Sequence, residues 1–207
     1  MFSVTDGIVE HHEGADDIIK PTVWAHLFRI GISVSFLIFY QEVFKMKKVG
    51  IVMGSDSDLP IIKKATDMLA DLGIPFEVHV YSAHRTPVEA RDFALSARDN
   101  GFGVIIAAAG MAAHLAGAIA ANTTLPVIGI PCKSTTLDGI DALLSTVQMP
   151  TGIPVATVAI DGGANAALLS AQILAVEDKD LAKKLDEKRA GDARKVLEKD
   201  ASIAERL

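Results

Sequence analysis

Beyond Val49 the chain alternates between short apolar runs and longer segments in which apolar residues recur at helical spacing. Short apolar or alternating runs are typical of β-strands, and the wider spacing is typical of amphipathic helices. The pattern predicts strands in VGIVMG, PFEVHVYS, FGVIIAAAG, LPVIGIP and PVATVAI. It predicts helices in LPIIKKATDMLADLG, PVEARDFALSARDNG, AAHLAGAIAANT, LDGIDALLSTVQ and GGANAALLSAQILA, followed by a charged amphipathic tail from Asp178.

This alternation predicts an α/β protein with a three-layer αβα architecture. Strands that alternate with helices are joined by right-handed crossovers, so they form a parallel sheet that is covered on both faces. We expect a doubly wound sheet of flavodoxin-like order, with the uniformly apolar FGVIIAAAG near its centre. In such sheets ligands bind beyond the carboxyl ends of the strands, near the point where the strand order reverses.

Residues 1–45 differ from the rest of the chain. The stretch VWAHLFRIGISVSFLIFY looks like a membrane span, but His26 and Arg29 interrupt it, and the clean run 30–40 is shorter than the roughly 20 residues that a bilayer needs. Acidic residues stand where a secretory signal has its basic region. We predict an N-terminal extension over 1–45 and a domain over 46–207. The alternative is a membrane-associating amphipathic anchor.

Composition and charge narrow the possible partners. Half of the residues are hydrophobic but only 5% are aromatic, which suits an aliphatic core. The formal charge of -6 argues against a general nucleic-acid surface, because neutralising phosphates requires a broad basic face. Cys132 is the only cysteine, which excludes intramolecular disulfides and thiolate-rich metal sites. A single cysteine also favours a reducing compartment, so we expect a cytoplasmic protein.

The segment GSDSD, residues 54–58, follows the first strand. Its hydroxyl and amide groups at a helix start could hold a phosphate, and its carboxylates could bind ribose hydroxyls. The alternative is that Ser57 or Asp58 only caps the helix.

The segment SAHRTP, residues 82–87, follows the second strand. His84 could carry protons near neutral pH, and Arg85 could bind phosphate through its planar guanidinium group. A single loop histidine is more often an ordinary surface residue, but the place of His84 between Ser82 and Arg85 at a strand end favours function. His79, inside the alternating strand, is assigned no role.

The segment AAAGMAAHLAG, residues 107–117, follows the third strand and leads to His114 near the start of a helix. Small residues allow a backbone to approach a flat ring closely. The same residues could equally serve tight packing between helix and sheet around a buried histidine.

The segment after the fourth strand is polar. It could line one wall of a site or form a solvated loop, and its candidate residues are Lys133, Ser134, Asp138 and Asp141. Cys132 could act as a nucleophile only if a neighbour lowered the pKa of its thiol.

Taken in series, GSDSD, SAHRTP, AGMAAHLAG and VQMPTGIPVATVAI followed by NAALLSAQIL resemble the N5-carboxyaminoimidazole ribonucleotide mutase family of bacterial purine biosynthesis. The resemblance runs in order from about Lys48 to Leu185 and leaves the first 45 residues uncovered. It implies a three-layer αβα domain that assembles as a homo-octamer, with active sites near subunit boundaries.

The resemblance also implies roles for individual residues. His84 and His114 are the expected catalytic residues, with His84 as the proton carrier, and Arg85 is the expected phosphate partner. The other expected substrate-binding residues are Ser55, Ser57 and Asp58 for phosphate and ribose, Leu115 beside the imidazole and the migrating carboxyl group, and Ser82, Ala109 and Gly110. No metal site is implied.

The matched loop departs from the family pattern at two positions. Met111 stands where a glycine is usual, and Ala116 stands where a proline is usual. These changes concern the shape of the loop and leave His114 in place. Arg85 favours the mutase over a related carboxylase type, which looks more often like SAHK.

The implied reaction moves a carboxyl group from the exocyclic amine of the ribonucleotide to a ring carbon. Release of carbon dioxide in a closed pocket and its capture by the ring would need one group that gives and then takes a proton, which suits an imidazole. Holding both reactants together saves up to roughly 7–11 kcal/mol, so we expect no metal, ATP or other cofactor. The alternative is direct carboxylation of aminoimidazole ribonucleotide by dissolved carbon dioxide. A second alternative is a non-catalytic flavodoxin-like module that binds flavin or nucleotide, or receives a phosphoryl group.

Overall fold

The computed structural model describes residues 46–203. Its elements are, in chain order, β1 (Lys48–Met53), a 3-10 turn (Asp56–Asp58), α1 (Leu59–Leu72), β2 (Phe76–Val80), α2 (Pro87–Ser96), β3 (Phe102–Gly110), α3 (Leu115–Ala120), β4 (Val127–Cys132), α4 (Ile140–Val147), β5 (Ala156–Thr157), α5 (Gly163–Leu174) and α6 (Lys179–Ala201). Each strand and helix predicted from the pattern is present.

The N-terminal extension predicted over 1–45, together with its alternative as an amphipathic anchor, lies outside the described residues and stays a prediction. Within 46–203, no helix combines the length and the apolar character needed to cross a membrane.

The five strands form one parallel sheet in the order β2-β1-β3-β4-β5. The predicted doubly wound, flavodoxin-like sheet is therefore confirmed, with the apolar β3 at its centre. β5 is shorter than its apolar pattern predicts, because only Ala156 and Thr157 pair with β4. Beyond them the chain leaves the strand pairing and turns toward α5.

The two faces of the sheet are covered by different helices, which gives the predicted three layers. Val104 and Ile106 of β3 pack in a core with α1, α5 and α6, whereas Ile105 and Ala107 pack in a second core with α2 and α3. This division follows from the alternation of side chains along a strand. A Cβ atom added at Gly129 would meet both Thr146 of α4 and Ala116 of α3, so α4 lies on the second face.

The layer of α1, α5 and α6 is tightly joined. A Cβ atom added at Gly163 would collide with the carbonyl oxygen of Ile61, so the backbones of α5 and α1 meet closely. The Asp178 carboxylate caps α6 by accepting the Leu181 N–H at 2.9 Å. Lys184 Nζ then donates to the carbonyl oxygen of Leu72 at 3.0 Å, which places a positive charge at the end of α1. The charged tail is thus held on the domain as a helix.

All five strands end at the same edge of the sheet because they are parallel. The strand order reverses at β1, which has β2 on one side and β3 on the other. Ligands of such sheets bind at this reversal. The loops that follow β1, β2 and β3 therefore meet at the reversal of strand order, where the sequence predicts a functional site.

Candidate active site

The turn after β1 is organised by Ser55. Its Oγ accepts the N–H of Ser57 at 3.3 Å, and its carbonyl oxygen accepts the N–H of Asp58 at 3.2 Å. Asp58 occupies the N-cap position of α1 but makes no capping hydrogen bond with its side chain. Ser55 caps the 3-10 turn, and α1 begins without a side-chain cap from Asp58, so the alternative that the Asp58 carboxyl group only caps the helix is wrong.

The Asp58 carboxyl group is half-buried beside the end of β4. Partial burial raises the pKa of Asp58, and the carboxylates of Asp161 and Asp56 act in the same direction, while the nearby Cys132 thiol and Ser55 backbone oppose them. Burial raises the pKa of the Cys132 thiol, and the neighbouring carboxylates of Asp58 and Asp161 raise it further. A thiol that stays protonated is not a nucleophile, so the structure argues against a catalytic role for Cys132.

Ser82 shapes the loop after β2. Its Oγ accepts the N–H of Arg85 at 3.2 Å and the N–H of His84 at 3.4 Å. Thr86 Oγ1 in turn accepts the N–H of Ser82 at 2.7 Å. These bonds close the loop on itself and direct the exposed side chains of His84 and Arg85 over the edge of the sheet.

Two contacts join this loop to its neighbours. His84 Nε2 lies 2.9 Å from His114 Nδ1, with the two rings nearly perpendicular at 84°. Arg85 Nη2 donates to the carbonyl oxygen of Gly54 at 3.0 Å. The ends of β1, β2 and β3 are therefore connected through side chains at the point where the strand order reverses.

The histidine pair has a defined chemistry. In a hydrogen bond between two imidazoles one nitrogen donates and the other accepts. Two positive charges at this separation would repel strongly, so the pair is suited to holding one extra proton and passing it on. Since both rings are exposed at the sheet edge, the alternative of a buried His114 serving only packing is wrong.

The loop after β3 has an unusual backbone at Met111. Its φ angle is 54°, in the left-handed region where side chains other than glycine are strained. The Met111 side chain is 66% exposed, whereas the Leu115 side chain is only 2% exposed and packs in the core under α3. Leu115 is therefore enclosed by protein, and its contact with substrate stays a prediction. Ala109 and Gly110 complete β3 beside Pro131 and Cys132.

The sequence model of the family described as AIR carboxylase matches residues 48–195. The chain belongs to the AIR carboxylase family. This member is 54% identical over 157 residues to an N5-carboxyaminoimidazole ribonucleotide mutase of Pyrococcus horikoshii, and the alignment covers 76% of this chain and 89% of the relative. It is 56% identical over 152 residues to the mutase of the same name from Bacillus subtilis, which covers 72% of the chain and 94% of the relative.

The fold of this AIR carboxylase family member is also found among solved structures. The crystal structure of Treponema denticola PurE superposes with a TM-score of 0.68 at 29% sequence identity, covering 74% of the chain and 96% of that structure. The family resemblance read from the motifs is therefore confirmed, and the chain is an enzyme of an isomerase family.

The polar residues after β4 in this AIR carboxylase family member are only partly solvated. Lys133 Nζ pairs with Asp138 Oδ1 at 3.1 Å on the surface. Ser134 Oγ and Asp141 Oδ1 are buried atoms without a hydrogen-bond partner among residues 46–203. A buried polar atom usually has a partner, so these two oxygens mark this loop as a place where water or a ligand is expected.

One site residue was missed by the sequence reasoning. Asp161, after β5, accepts the N–H of Lys133 at 2.8 Å and acts on the charge of Asp58. A signal existed, because aspartate followed by two glycines after an apolar run marks a turn that needs a left-handed residue. Nothing in the pattern places that turn beside Asp58.

Proposed function

We propose that this enzyme is a mutase of purine biosynthesis that converts N5-carboxyaminoimidazole ribonucleotide to 4-carboxy-5-aminoimidazole ribonucleotide. The observation that supports it most is the contact of 2.9 Å between His84 and His114 at the reversal of strand order. The names of the curated relatives point to the same substrate. No metal or cofactor enters the proposal.

The proposed reaction has two steps that share one proton carrier. Protonated His84 gives its proton to the exocyclic nitrogen as the bond between that nitrogen and the carboxyl carbon breaks, which releases carbon dioxide and aminoimidazole ribonucleotide. The ring carbon then attacks carbon dioxide with its electron pair, and neutral His84 removes the proton from that carbon. The enzyme returns to its starting state, and the carboxyl group has moved from nitrogen to carbon.

Residues near His84 can bind the phosphate, the ribose and the imidazole ring of the proposed substrate. Arg85 carries a charge that can bind the phosphate, and its bond to Gly54 places it over the turn that contains Ser55 and Ser57. Asp58 stands at the far end of that turn, where it can accept hydrogen bonds from the ribose hydroxyls. Gly110 and the small residues around it keep the end of β3 open to a flat imidazole ring.

The rival activity is direct carboxylation of aminoimidazole ribonucleotide, and an assay of two substrates separates it from the mutase. We expect the protein to convert N5-carboxyaminoimidazole ribonucleotide without ATP, and to use aminoimidazole ribonucleotide with bicarbonate far more slowly. The reverse preference would establish the rival. Running the assay on protein that begins at Met46 beside the full chain tests whether residues 46–207 form the catalytic domain alone.

Assembly as a homo-octamer in the cytoplasm belongs to the same proposal. An exposed apolar face on α4 and the loop before it supports contact between subunits, since large apolar patches usually mark interfaces. Its members are Leu137, Ile140, Leu144 and Val147. Light scattering after size exclusion tests the octamer, and a monomer at micromolar concentration would contradict it.

A further inference from the structure

Gly117 lies inside α3, where a glycine has a packing reason. Glycine stabilises a helix less than alanine does, and a glycine within a helix often marks a close approach to the backbone. A Cβ atom added at Gly117 would lie 3.0 Å from Sδ and 3.2 Å from Cε of Met149, closer than a Cβ atom normally comes to a side chain. The end of the Met149 side chain therefore lies directly against the α3 backbone.

The position of α3 decides where the His114 ring lies. α3 has six residues, too few to form a stable helix without packing, and His114 is its N-cap but makes no capping hydrogen bond with its side chain. The His114 carbonyl oxygen accepts the N–H of Ala118 at 2.9 Å, so His114 belongs to the first turn. Residues three apart are neighbours on a helix surface, and Gly117 is three residues from His114. Met149 therefore contacts α3 on the face that carries His114.

Met149 is itself fixed by the turn that follows α4. Its N–H donates to the carbonyl oxygen of Val147 at 2.9 Å. α4 lies on the sheet at Gly129, where an added Cβ atom would meet both Thr146 of α4 and Ala116 of α3. The two helices thus pack on the same point of β4, and Met149 adds a direct contact between the α4 turn and α3.

We propose that Met149 is a positioning residue that holds His114 at hydrogen-bonding distance from His84. It acts through the contact of its thioether with α3 at Gly117. A methionine suits this place, since its unbranched and flexible side chain fills irregular gaps. The proposal rests on the proposed role of the two histidines in moving the proton. The groups proposed to bind phosphate and ribose are in the loops after β1 and β2, so loss of the contact should lower kcat and leave KM unchanged.

Four substitutions test the contact. Met149→Ala removes the side chain that reaches α3, and Met149→Leu keeps an apolar side chain of similar volume. Gly117→Ala places a methyl group against Met149. Met68→Ala is the matched control, since Met68 is also a partly buried methionine but packs with α1 on the other face of the sheet.

The measurement is kcat and KM of the full chain for N5-carboxyaminoimidazole ribonucleotide, at a temperature where thermal unfolding shows each variant to be folded. We expect Met149→Ala to lower kcat by about tenfold with KM within about twofold of wild type, since misplacing a catalytic group by 1 Å can cost about 10²-fold. Met149→Leu should keep kcat within about threefold of wild type, because such swaps conserve volume. Met68→Ala should lower the melting temperature and keep the wild-type kcat.

A double variant shows whether the effect passes through the contact. Gly117→Ala should lower kcat by about threefold while Met149 is present, because the added methyl group pushes the methionine and α3 apart. In the Met149→Ala background that methyl group has no side chain to displace, so Gly117→Ala should cause no further loss. A purely structural role would leave kcat of the folded variants unchanged.

The proposal is overturned if folded Met149→Ala keeps the wild-type kcat, if its KM rises while kcat stays, or if Met149→Leu loses as much kcat as Met149→Ala. It is also overturned if Gly117→Ala leaves kcat unchanged, or lowers it by the same factor in both backgrounds. Gly117→Ala in the otherwise wild-type chain decides the question alone if Met149→Ala does not fold. Failure of the proposed function is a different outcome, since wild-type protein would then show no turnover of this substrate.

Discussion

His79 and His84 lie five residues apart, one inside β2 and one in the loop that follows it. The His79 ring is stacked on Tyr81 at 5.1 Å and tilted against Phe93 at the same distance, so it belongs to an aromatic cluster. The His84 ring is exposed and contacts His114. A histidine side chain thus serves packing where the strand continues, at His79, and is available for chemistry beyond the strand end, at His84.

The largest effect that can test this contrast is expected from His84→Asn. The substitution removes the titrating group while asparagine can still form a hydrogen bond with His114, so kcat should fall by about 10²–10⁴-fold, as is typical for a lost general acid–base group, with KM nearly unchanged. Steady-state kinetics on the proposed substrate provide the measurement. Activity above about a tenth of wild type would contradict the role of His84 as the proton carrier.

His79→Asn is the matched control for that experiment. Loss of the stacked ring should lower the free energy of unfolding by about 0.5–1.5 kcal/mol and leave kcat unchanged. If both substitutions reduced kcat equally, the distinction between the strand and its loop would be lost.

The next effect in size concerns Arg85. Arg85→Ala removes a charge from the proposed phosphate site and its bond to Gly54, so KM should rise by roughly tenfold or more, because hydrogen bonds to charged groups contribute about 1.5–3 kcal/mol. Arg85→Lys keeps the charge without the planar guanidinium and should give an intermediate KM. An unchanged KM in Arg85→Ala would rule out the phosphate contact.

A smaller effect is expected at Met111. Replacement by glycine relieves the left-handed strain but adds freedom to the unfolded chain, so the free energy of unfolding should rise by about 0.5–1 kcal/mol. Thermal unfolding should show an increase of about 2–4 °C per kcal/mol for a domain of this size. Ala112→Gly, at the next residue, should instead lower the melting temperature. A lower melting temperature in Met111→Gly would show that the side chain is held by contacts that outweigh the strain.

The smallest expected effect concerns the pH dependence of stability at Asp58. Its folded pKa is raised above the ordinary value of 3.8, so the folded state resists an ionisation that the unfolded chain undergoes freely. Asp58→Asn should therefore match wild type in unfolding free energy below pH 3.8 and become the more stable protein as pH rises above it. Denaturant unfolding at several pH values measures this, and equal stability at neutral pH would contradict the raised pKa.

The fold could be predicted from the sequence because its signals are local. Alternating runs, glycine at Gly73 and proline at Pro87 mark strands and helices, and crossover handedness then restricts the topology. The early end of β5 could not be read from PVATVAI, since Val155 and Val158 pack against the two cores on opposite faces of the sheet while only Ala156 and Thr157 pair with β4.

The sequence predicts which strand ends form the candidate site, but it does not predict which of their side chains touch. His84 and His114 were each identified from their own segment, but their contact depends on the strand order. The residue types of Ser82 and Leu115 do not show what these residues do. The Ser82 side chain accepts backbone N–H groups of its own loop, and Leu115 lies in the core. Asp161 was missed because its importance arises only from closeness to Lys133 and Asp58 in the folded chain.

The fate of the carboxyl group tests the central claim most directly. Substrate labelled in the carboxyl group is converted by the full chain in the presence of excess unlabelled bicarbonate, and the label in the 4-carboxy product is measured. Transfer inside a closed site, with His84 relaying the proton, predicts that the product keeps the label. A product that carries carbon from the unlabelled pool would contradict the account.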